Sequence, residues 1–432
     1  MEPVEALSVS EIDLADWGFW ERPPAEREGA WRTLRRERPV AWFGEPRWFE
    51  PEPGDPPVPV EFAPMAGFWV ATRMAEVAEI SRHPEIYLSG PGAVSILDLP
   101  PELVEYFAGM ISTDNPRHAR LRRIVSQAFS PRMIGRIEDH IGQVARRIVD
   151  HVAPLGRCDF VADVAAPLPL EVICQMMGVP PDRYADAFRC SNVILSNGDP
   201  EYVAVGTHPL SAILDAGVEL TAMMEEIAAA RAAEPTDDLT SALVHGNIDG
   251  ESLSHAELAS FFILLLTAGN ETTRNAIAHG LVALTEHPEA RAIWQADVAG
   301  ITPTAVDEIV RWASPVIWMR RTLAVDTELA GQSLHAGDKL LVLYSSANRD
   351  EAVFDDPYAF DVRRSPNPHV GFGAPGPHFC LGAHLARREI GVMFTELFGR
   401  LGDIEATGEP DRLRSNFVNG VKHLECRFSP VG

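Results

Sequence analysis

Cysteine is scarce in this chain. The 432 residues contain five: Cys158, Cys174, Cys190, Cys380 and Cys426. An odd number with no close spacing argues against a disulfide framework and suggests a reducing compartment. Positive charge is also short. The 37 lysines and arginines face 62 aspartates and glutamates, giving a formal net charge of −25. That balance argues against nucleic acid or an anionic membrane as a bulk partner. No apolar run approaches the ~18 residues of a membrane span, and residues 261–269 are too few. The opening Met1-Glu-Pro-Val-Glu-Ala-Leu7 has neither a basic n-region nor an apolar h-region. A water-soluble, cytoplasmic protein without a transmembrane segment is therefore expected. No repeat and no clear linker divides the chain, so a single domain over 1–432 is the expectation.

Apolar residues make up 46% of the sequence, enough for a large core. Helical periodicity predicts helices near 73–82, 117–128, 132–153, 168–177, 210–232, 255–286 and 303–312. Strand patterns are few: 39–43, 67–71, 321–330, 338–344 and 422–428. The fold class expected is mainly α with small peripheral β-sheets. Residues 44–64 are rich in proline and acid, and read as a surface loop inside a hairpin of 39–43 with 67–71.

Cys380 is the most informative residue. It lies in Gly371-Phe-Gly-Ala-Pro-Gly-Pro-His-Phe-Cys380-Leu-Gly382, ahead of the helical run Ala383-His-Leu-Ala-Arg-Arg-Glu389. A helix N-terminus favours thiolate over thiol. Such a thiolate can serve as an axial ligand to haem iron. The glycines admit a flat macrocycle, and Phe372 is placed to cover the sulfur. Three other readings stand beside this one. They are an inert buried cysteine, a zinc site from His378, Cys380 and His384, and a dinucleotide loop from Gly371-x-Gly373-x-x-Gly376. The zinc set lacks a fourth ligand. The dinucleotide loop has no apolar strand before it and is interrupted by Pro375 and Pro377.

The helix 255–286 changes character at Thr267-Ala268-Gly269-Asn270-Glu271-Thr272-Thr273. Threonine back-bonding and a glycine predict a local opening, where a water can sit beside an alcohol and a carboxylate. Leu264, Ala268 and Thr272 share one face, and Ala268 is small enough to leave room for a ring. The bland alternative is a polar turn facing solvent. Glu308 and Arg311 are spaced as a helical ion pair, worth only ~0.3–0.5 kcal/mol if exposed. The buried reading adds Arg364. His118, Arg122, Arg321 and His369 are scattered cationic donors suited to carboxylates, though each alone reads as surface charge.

Four segments together resemble the cytochrome P-450 family of haem-thiolate monooxygenases. In the family's order they are Asp114-x-Pro116-x-His118-x-x-x-Arg122 with Phe129-Ser-Pro131, Ala268-Gly269-Asn-Glu271-Thr272-Thr273, Glu308-x-x-Arg311 and the Cys380 loop. The resemblance implies one large cytochrome P-450 fold with a long central helix over the haem. It implies heme b (iron protoporphyrin IX) ligated by Cys380. Thr272 and Glu271 would guide protons to bound oxygen. Glu308, Arg311 and Arg364 would form a structural triad. His118, Arg122, Arg321 and His369 would hold the propionates, with Ala268, Phe372 and Gly382 against the macrocycle.

Other stretches, such as Pro101-Glu-Leu-Val-Glu-Tyr-Phe107 and Glu308-Ile-Val-Arg-Trp-Ala-Ser-Pro-Val316, look like actinobacterial methyl-branched lipid ω-hydroxylases and sterol 26/27-hydroxylases. The implied substrate is an apolar small molecule, oxidised with O2 at an unactivated carbon, most simply the end of a methyl-branched, isoprenoid or sterol chain. Its pocket would draw on Val94, Ile96, Leu97, Leu264, Thr267, Val316, Ile317, Trp318 and Met319, with 88–112 and 190–210 as movable segments. Two electrons would come to a monomeric enzyme from a separate ferredoxin and its reductase; Arg120, Arg123, Arg387 and Arg388 read equally as a basic patch for docking an acidic ferredoxin or as solvated helix faces. Two alternatives are an enzyme acting on a polyketide or macrolide, and a non-catalytic haem-thiolate sensor. The intact Glu271-Thr272 pair argues against the sensor.

Overall fold

A computed structural model describes residues 7–46, 66–128, 131–196, 198–246 and 250–431. The helices that build the interior are α1 (Pro24–Glu37), α2 (Pro101–Ala108), α3 (Arg117–Ala128), α4 (Pro131–Val152), α5 (Pro167–Met177), α6 (Tyr184–Leu195), α7 (Pro209–Ala233), α8 (His255–Glu286), α9 (Val298–Ala313) and α10 (Ala383–Arg400). One five-stranded sheet lies to the side. Its strands are β1 (Val40–Phe43), β2 (Phe68–Ala71), β3 (Tyr87–Leu88), β4 (Trp318–Leu323) and β5 (Lys339–Leu343), in the order β1-β2-β5-β4-β3. The predicted hairpin is present, with Val40 opposite Ala71. Most of the 44–64 insertion (47–64), like Phe129-Ser130, lies outside the described residues.

Helix α8 is the axis of the molecule. Its start is fixed by a capping box: the Ser254 hydroxyl accepts from the Glu257 N–H, and the Glu257 carboxylate accepts from the Ser254 N–H. Thirty-two residues give a rod of roughly 48 Å. It is apolar on nearly every side because α2, α5, α6, α7, α9 and α10 all pack on it. The expected opening at Gly269 does not occur. The helix runs through unbroken, and the Thr272 hydroxyl donates to the Ala268 carbonyl at 2.9 Å without displacing the backbone ladder.

Other boundaries also differ from expectation. Residues 101–108, read as part of a loop, form α2, with Pro101 at the first helical position where no N–H is needed. Residues 190–195 end α6. Helix α9 begins five residues before Pro303, with the Asp297 side chain accepting from the Gly300 N–H. The predicted strand 321–330 splits into β4 and Thr327–Leu329, which turns back on Gln332–Leu334 through Ala330 and Gly331, both at positive φ. The C-terminal strand breaks at Leu424, and its halves join different sheets.

The Glu308–Arg311 pair is buried completely. Arg311 grips both Glu308 oxygens at 2.7 Å, in the fork geometry of a bidentate pair. Arg364 Nε adds a third contact at 3.2 Å, Asn367 a fourth at 3.1 Å, and the Asp361 N–H a fifth at 2.9 Å. The remaining guanidinium donors go to main-chain carbonyls: Asn348, Pro357 and Ala359 from Arg311, and Asp355, Asp356 and Ala359 from Arg364. These carbonyls belong to a stretch with neither helix nor strand. Burial alone would raise the Glu308 carboxyl, but the bond and charge of Arg311, the Asp361 N–H and Arg364 hold it below the usual range.

Removing one partner leaves an uncompensated buried charge. Arg311→Ala or Glu308→Gln is therefore expected to lose about 3–5 kcal/mol in urea unfolding. Because the folded carboxyl is depressed, its contribution is present above the unfolded value of about 4.3 and lost as pH falls through the lower folded value. Wild type and Glu308→Gln should converge in stability on acidification.

Candidate active site

The loop 371–382 runs between α9 and α10 with its backbone pressed against neighbours. A Cβ on Gly371 would lie 2.6 Å from Val310 of α9, and one on Gly376 would lie 2.3 Å from the Ser81 carbonyl. Only glycine fits either place. The Cys380 N–H donates to the Phe372 carbonyl at 2.9 Å, and Arg122 from α3 donates to the carbonyls of Pro377 and Phe379 at 2.9 and 2.8 Å. Gly382 caps α10. The other four cysteines are buried in the core, whereas the surface that Cys380 exposes belongs to a large internal cleft that it lines. The thiolate preference expected from the helix N-terminus is outweighed, and the thiol stands above its usual range. Burial pushes the thiol up, while the Gly382 N–H, the charges of Arg122 and Arg387 and the Ala383 N–H pull it down.

The cleft holds about 1400 Å³, including its mouth. Its lining is mostly apolar, as expected of a pocket for an apolar ligand, with a few polar groups gathered around the Cys380 loop. Opposite Cys380 the wall is α8. Leu264, Ala268 and Thr272 all line it, as their i, i+4, i+8 spacing requires. Glu271 does not. It is 1% exposed, paired to Arg274 and bonded by Asn275 at 3.0 Å through the same oxygen, Oε1. Its Oε2 is buried without a partner among the described residues, as are both polar atoms of the Asn270 side chain.

His118, Arg122 and Arg321 reach the cleft as expected. His369 does not line it. Its ring lies 3.4 Å from Asp307 and accepts from the Gly371 N–H at 3.2 Å, which holds it behind the loop. His378 occupies the place instead, two residues before Cys380, with its ring centroid 4.1 Å from that of His118. The zinc pattern had drawn attention to His378, and its offset from the cysteine was the available signal. Burial, then Arg321, His118 and Arg122, drives His378 down to about 3, and burial followed by Arg122 lowers His118. His118 Nε2 is buried with no partner among the described residues. Two neutral imidazoles beside two guanidiniums, one of them with an unmet nitrogen, suit a group bearing carboxylates. The residues present thus fit haem, with the thiol on one side and donors suited to carboxylates at one edge.

The substrate wall is narrower than the sequence suggests. Val316 and Met319 line the cleft, while Ile317 and Trp318 turn into the core with Ile96 and Leu97. Strand alternation explains part of this: on β4, Met319 and Arg321 share the cleft side. Thr267 is bonded back to the Ile263 and Leu264 carbonyls, and neither it nor Val94 lines the cleft. Met110, Ile111 and Phe261 line it and escaped the sequence reading. The basic patch is largely neutralised. Arg120 is paired with Glu257, Arg123 with Glu251 and Arg387 with Asp307, and Arg388 is exposed.

A family model described as Cytochrome P450 matches residues 217–402. A methyl-branched lipid omega-hydroxylase of Mycobacterium tuberculosis is 47% identical over 431 residues, covering 99% of this chain and 97% of that protein. A steroid C26-monooxygenase of Mycolicibacterium smegmatis is 40% identical over 370 residues, 85% and 84% of the two chains. A solved Mycobacterium marinum cytochrome P450 in complex with pseudoionone is 42% identical, with a TM-score of 0.89 over 96% of this chain and 98% of that one.

Two outcomes follow from the site. His378→Ala should lower haem retention on purification, measured by pyridine haemochrome, while His369→Ala should leave it near wild type. Glu389 of α10 also lines the cleft, and burial, opposed by a bond from Thr273, raises its carboxyl to about 8. The folded state then holds a proton that the unfolded state has lost, so stability falls as pH rises from about 4.3 to about 8. Glu389→Gln should flatten that decline in unfolding curves taken across the range.

Proposed function

This chain belongs to the cytochrome P450 family, and on that premise we propose that it is a haem-dependent monooxygenase hydroxylating the chain end of a methyl-branched, isoprenoid or sterol lipid. The observation that carries the reading is an apolar cleft ending on the Cys380 thiol, in a chain 47% identical from end to end to a lipid omega-hydroxylase. The overall change is RH + O2 + two electrons + two protons to ROH + H2O. The chain acts as a single domain.

Cys380 would ligate the iron, His118, Arg122, Arg321 and His378 would hold the propionates, and Ala268 and Gly382 would leave the faces of the ring open. Bound haem supplies O2 activation and transfer of one oxygen atom to carbon. The protein's own residues do the rest. Leu264, Val316, Met319 and Phe261 exclude water and align an alkyl chain by shape alone. Thr272 Oγ1, on the cleft wall, can pass a proton inward. Glu271, the next residue, would reload it through Oε2 on swinging from its Arg274 pair. Phe372 lies under the Arg387 guanidinium at 4.4 Å, which fixes the ring beside the thiol.

Among the described residues no helix is long and apolar enough to cross a membrane. We place the enzyme in the cytoplasm as a monomer, reduced by a ferredoxin and its reductase. With Arg120, Arg123 and Arg387 already paired to acids, exposed Arg388 is the remaining basic contact for that donor.

The deciding experiment is a Soret titration of the ferric protein. The panel is a methyl-branched fatty acid, a farnesyl-type alcohol, a cholest-4-en-3-one-type sterol and a macrolide. A low- to high-spin shift with one or more of the first three, followed by a terminal alcohol in reconstituted turnover, is the expected result. A shift with the macrolide alone would overturn the lipid assignment and leave the haem-thiolate assignment intact.

A further inference from the structure

A second cavity lies between α1 and the C-terminal hairpin, away from Cys380. It holds about 640 Å³ with its open side, and its lining includes Trp17, Trp20, Arg22, Arg27, Arg412 and Arg414. Two of these arginines have acidic partners: Arg22 with Glu26 at 3.1 Å, and Arg414 with Glu21 at 3.0 Å. Arg414 also covers the Trp17 ring at 5.1 Å.

Arg27 and Arg412 are different. Among the described residues neither guanidinium has an ion-pair or hydrogen-bond acceptor, and Arg27 Nε is buried without a partner. Glu28 lies near Arg27, and Glu286 and Glu409 near Arg412, acting only through space. Burial and then the charge of Arg412 lower Arg27 to about 10, and burial lowers Arg412 as well. Behind them His279, bonded to the Asn419 carbonyl at 2.9 Å, is driven to about 3 by burial and then by Arg412. Two guanidiniums thus share a half-enclosed cavity in which, among the described residues, no acid touches either of them, although the chain carries a net charge of −25. Such a pair is unfavourable alone and complete with an anion between its forks. The indole rings offer an apolar surface to whatever the anion is attached to.

We propose that this cavity binds a small organic anion through a carboxylate or phosphate group, held by Arg27 and Arg412 with its remainder against Trp17 and Trp20. The site is separate from the catalytic cleft but shares a wall with it. Val418 lines this cavity and bridges Val316, which lines the cleft.

The test uses haem-loaded enzyme, wild type and Arg27→Gln/Arg412→Gln, titrated calorimetrically with inorganic phosphate and with hexanoate. Wild type should bind at least one probe at one equivalent, more weakly at high salt, and melt at a higher temperature when it is bound. The double variant should lose about tenfold or more in affinity. Without anion it should melt no lower than wild type, because a repulsive pair has gone. Arg412→Lys, which keeps the charge and loses the fork, should fall between them and serves if the double variant folds poorly. Binding of phosphate alone assigns a phosphate-bearing ligand, and binding of hexanoate alone a carboxylate-bearing one. The proposal is overturned if neither probe binds wild type, or if the variants bind equally well. It is also overturned if hexanoate is the only binder and its binding is accompanied by a Soret shift that persists in the double variant, which places it in the catalytic cleft.

Discussion

The position of Cys380 is inherited from an ion network that never touches it. Residues 348–382 contain neither helix nor strand, so no ladder of backbone bonds sets their path. Glu308, Arg311 and Arg364 take over that task. One carboxylate is shared by two guanidiniums, and their other donors hold five carbonyls of the segment in place. Such a network tolerates little, since each member is satisfied only while the others stay. It is anchored on α9, and α9 packs on both α8 and α10. The thiol, the wall opposite it and the loop between them therefore share one reference frame.

The same frame explains where polar groups are tolerated. Helix α8 is buried along most of its length, yet it carries Asn270, Glu271 and Arg274 in its middle. Glu271 and Arg274 neutralise each other, and Arg274 reaches Asn192 of α6 at 2.9 Å. Asn270 keeps two atoms without a partner among the described residues. Concentrating unsatisfied polarity one residue from Thr272, beside the cleft, is the local inconsistency expected where chemistry overrides packing.

How far the sequence could be read follows from which signals are local. Long periodic helices such as α4, α7 and α8 were legible because their apolar pattern is itself the packing surface. The triad was legible through spacing plus the remote Arg364. Glycines and Cys380 marked the loop. What escaped depended on direction rather than identity. His369 and His378 are both histidines near the cysteine, and only the curl of the loop, set by Gly371 against Val310, turns one away and the other in. Ile317 and Trp318 are as apolar as Val316 and Met319, but strand alternation and the start of β4 part them. The opening predicted in α8 failed because a threonine back-bond is compatible with an intact ladder. Arg120, Arg123, Arg387 and Arg388 were visible as charges, while the acidic partners of the first three came from distant segments.

The C-terminal hairpin around Val418 is a partition with a room on each side. Its backbone is tied to the 315–317 segment by bonds from the Ile317 N–H to the Phe417 carbonyl and from the Asn419 N–H to the Pro315 carbonyl. A change selected for one room is therefore felt in the other. Substitutions here are pleiotropic by construction, so substrate range cannot drift through this hairpin independently of what the arginine cavity holds. Divergence among related enzymes should be slower along this partition than along the equally apolar walls that face a single compartment.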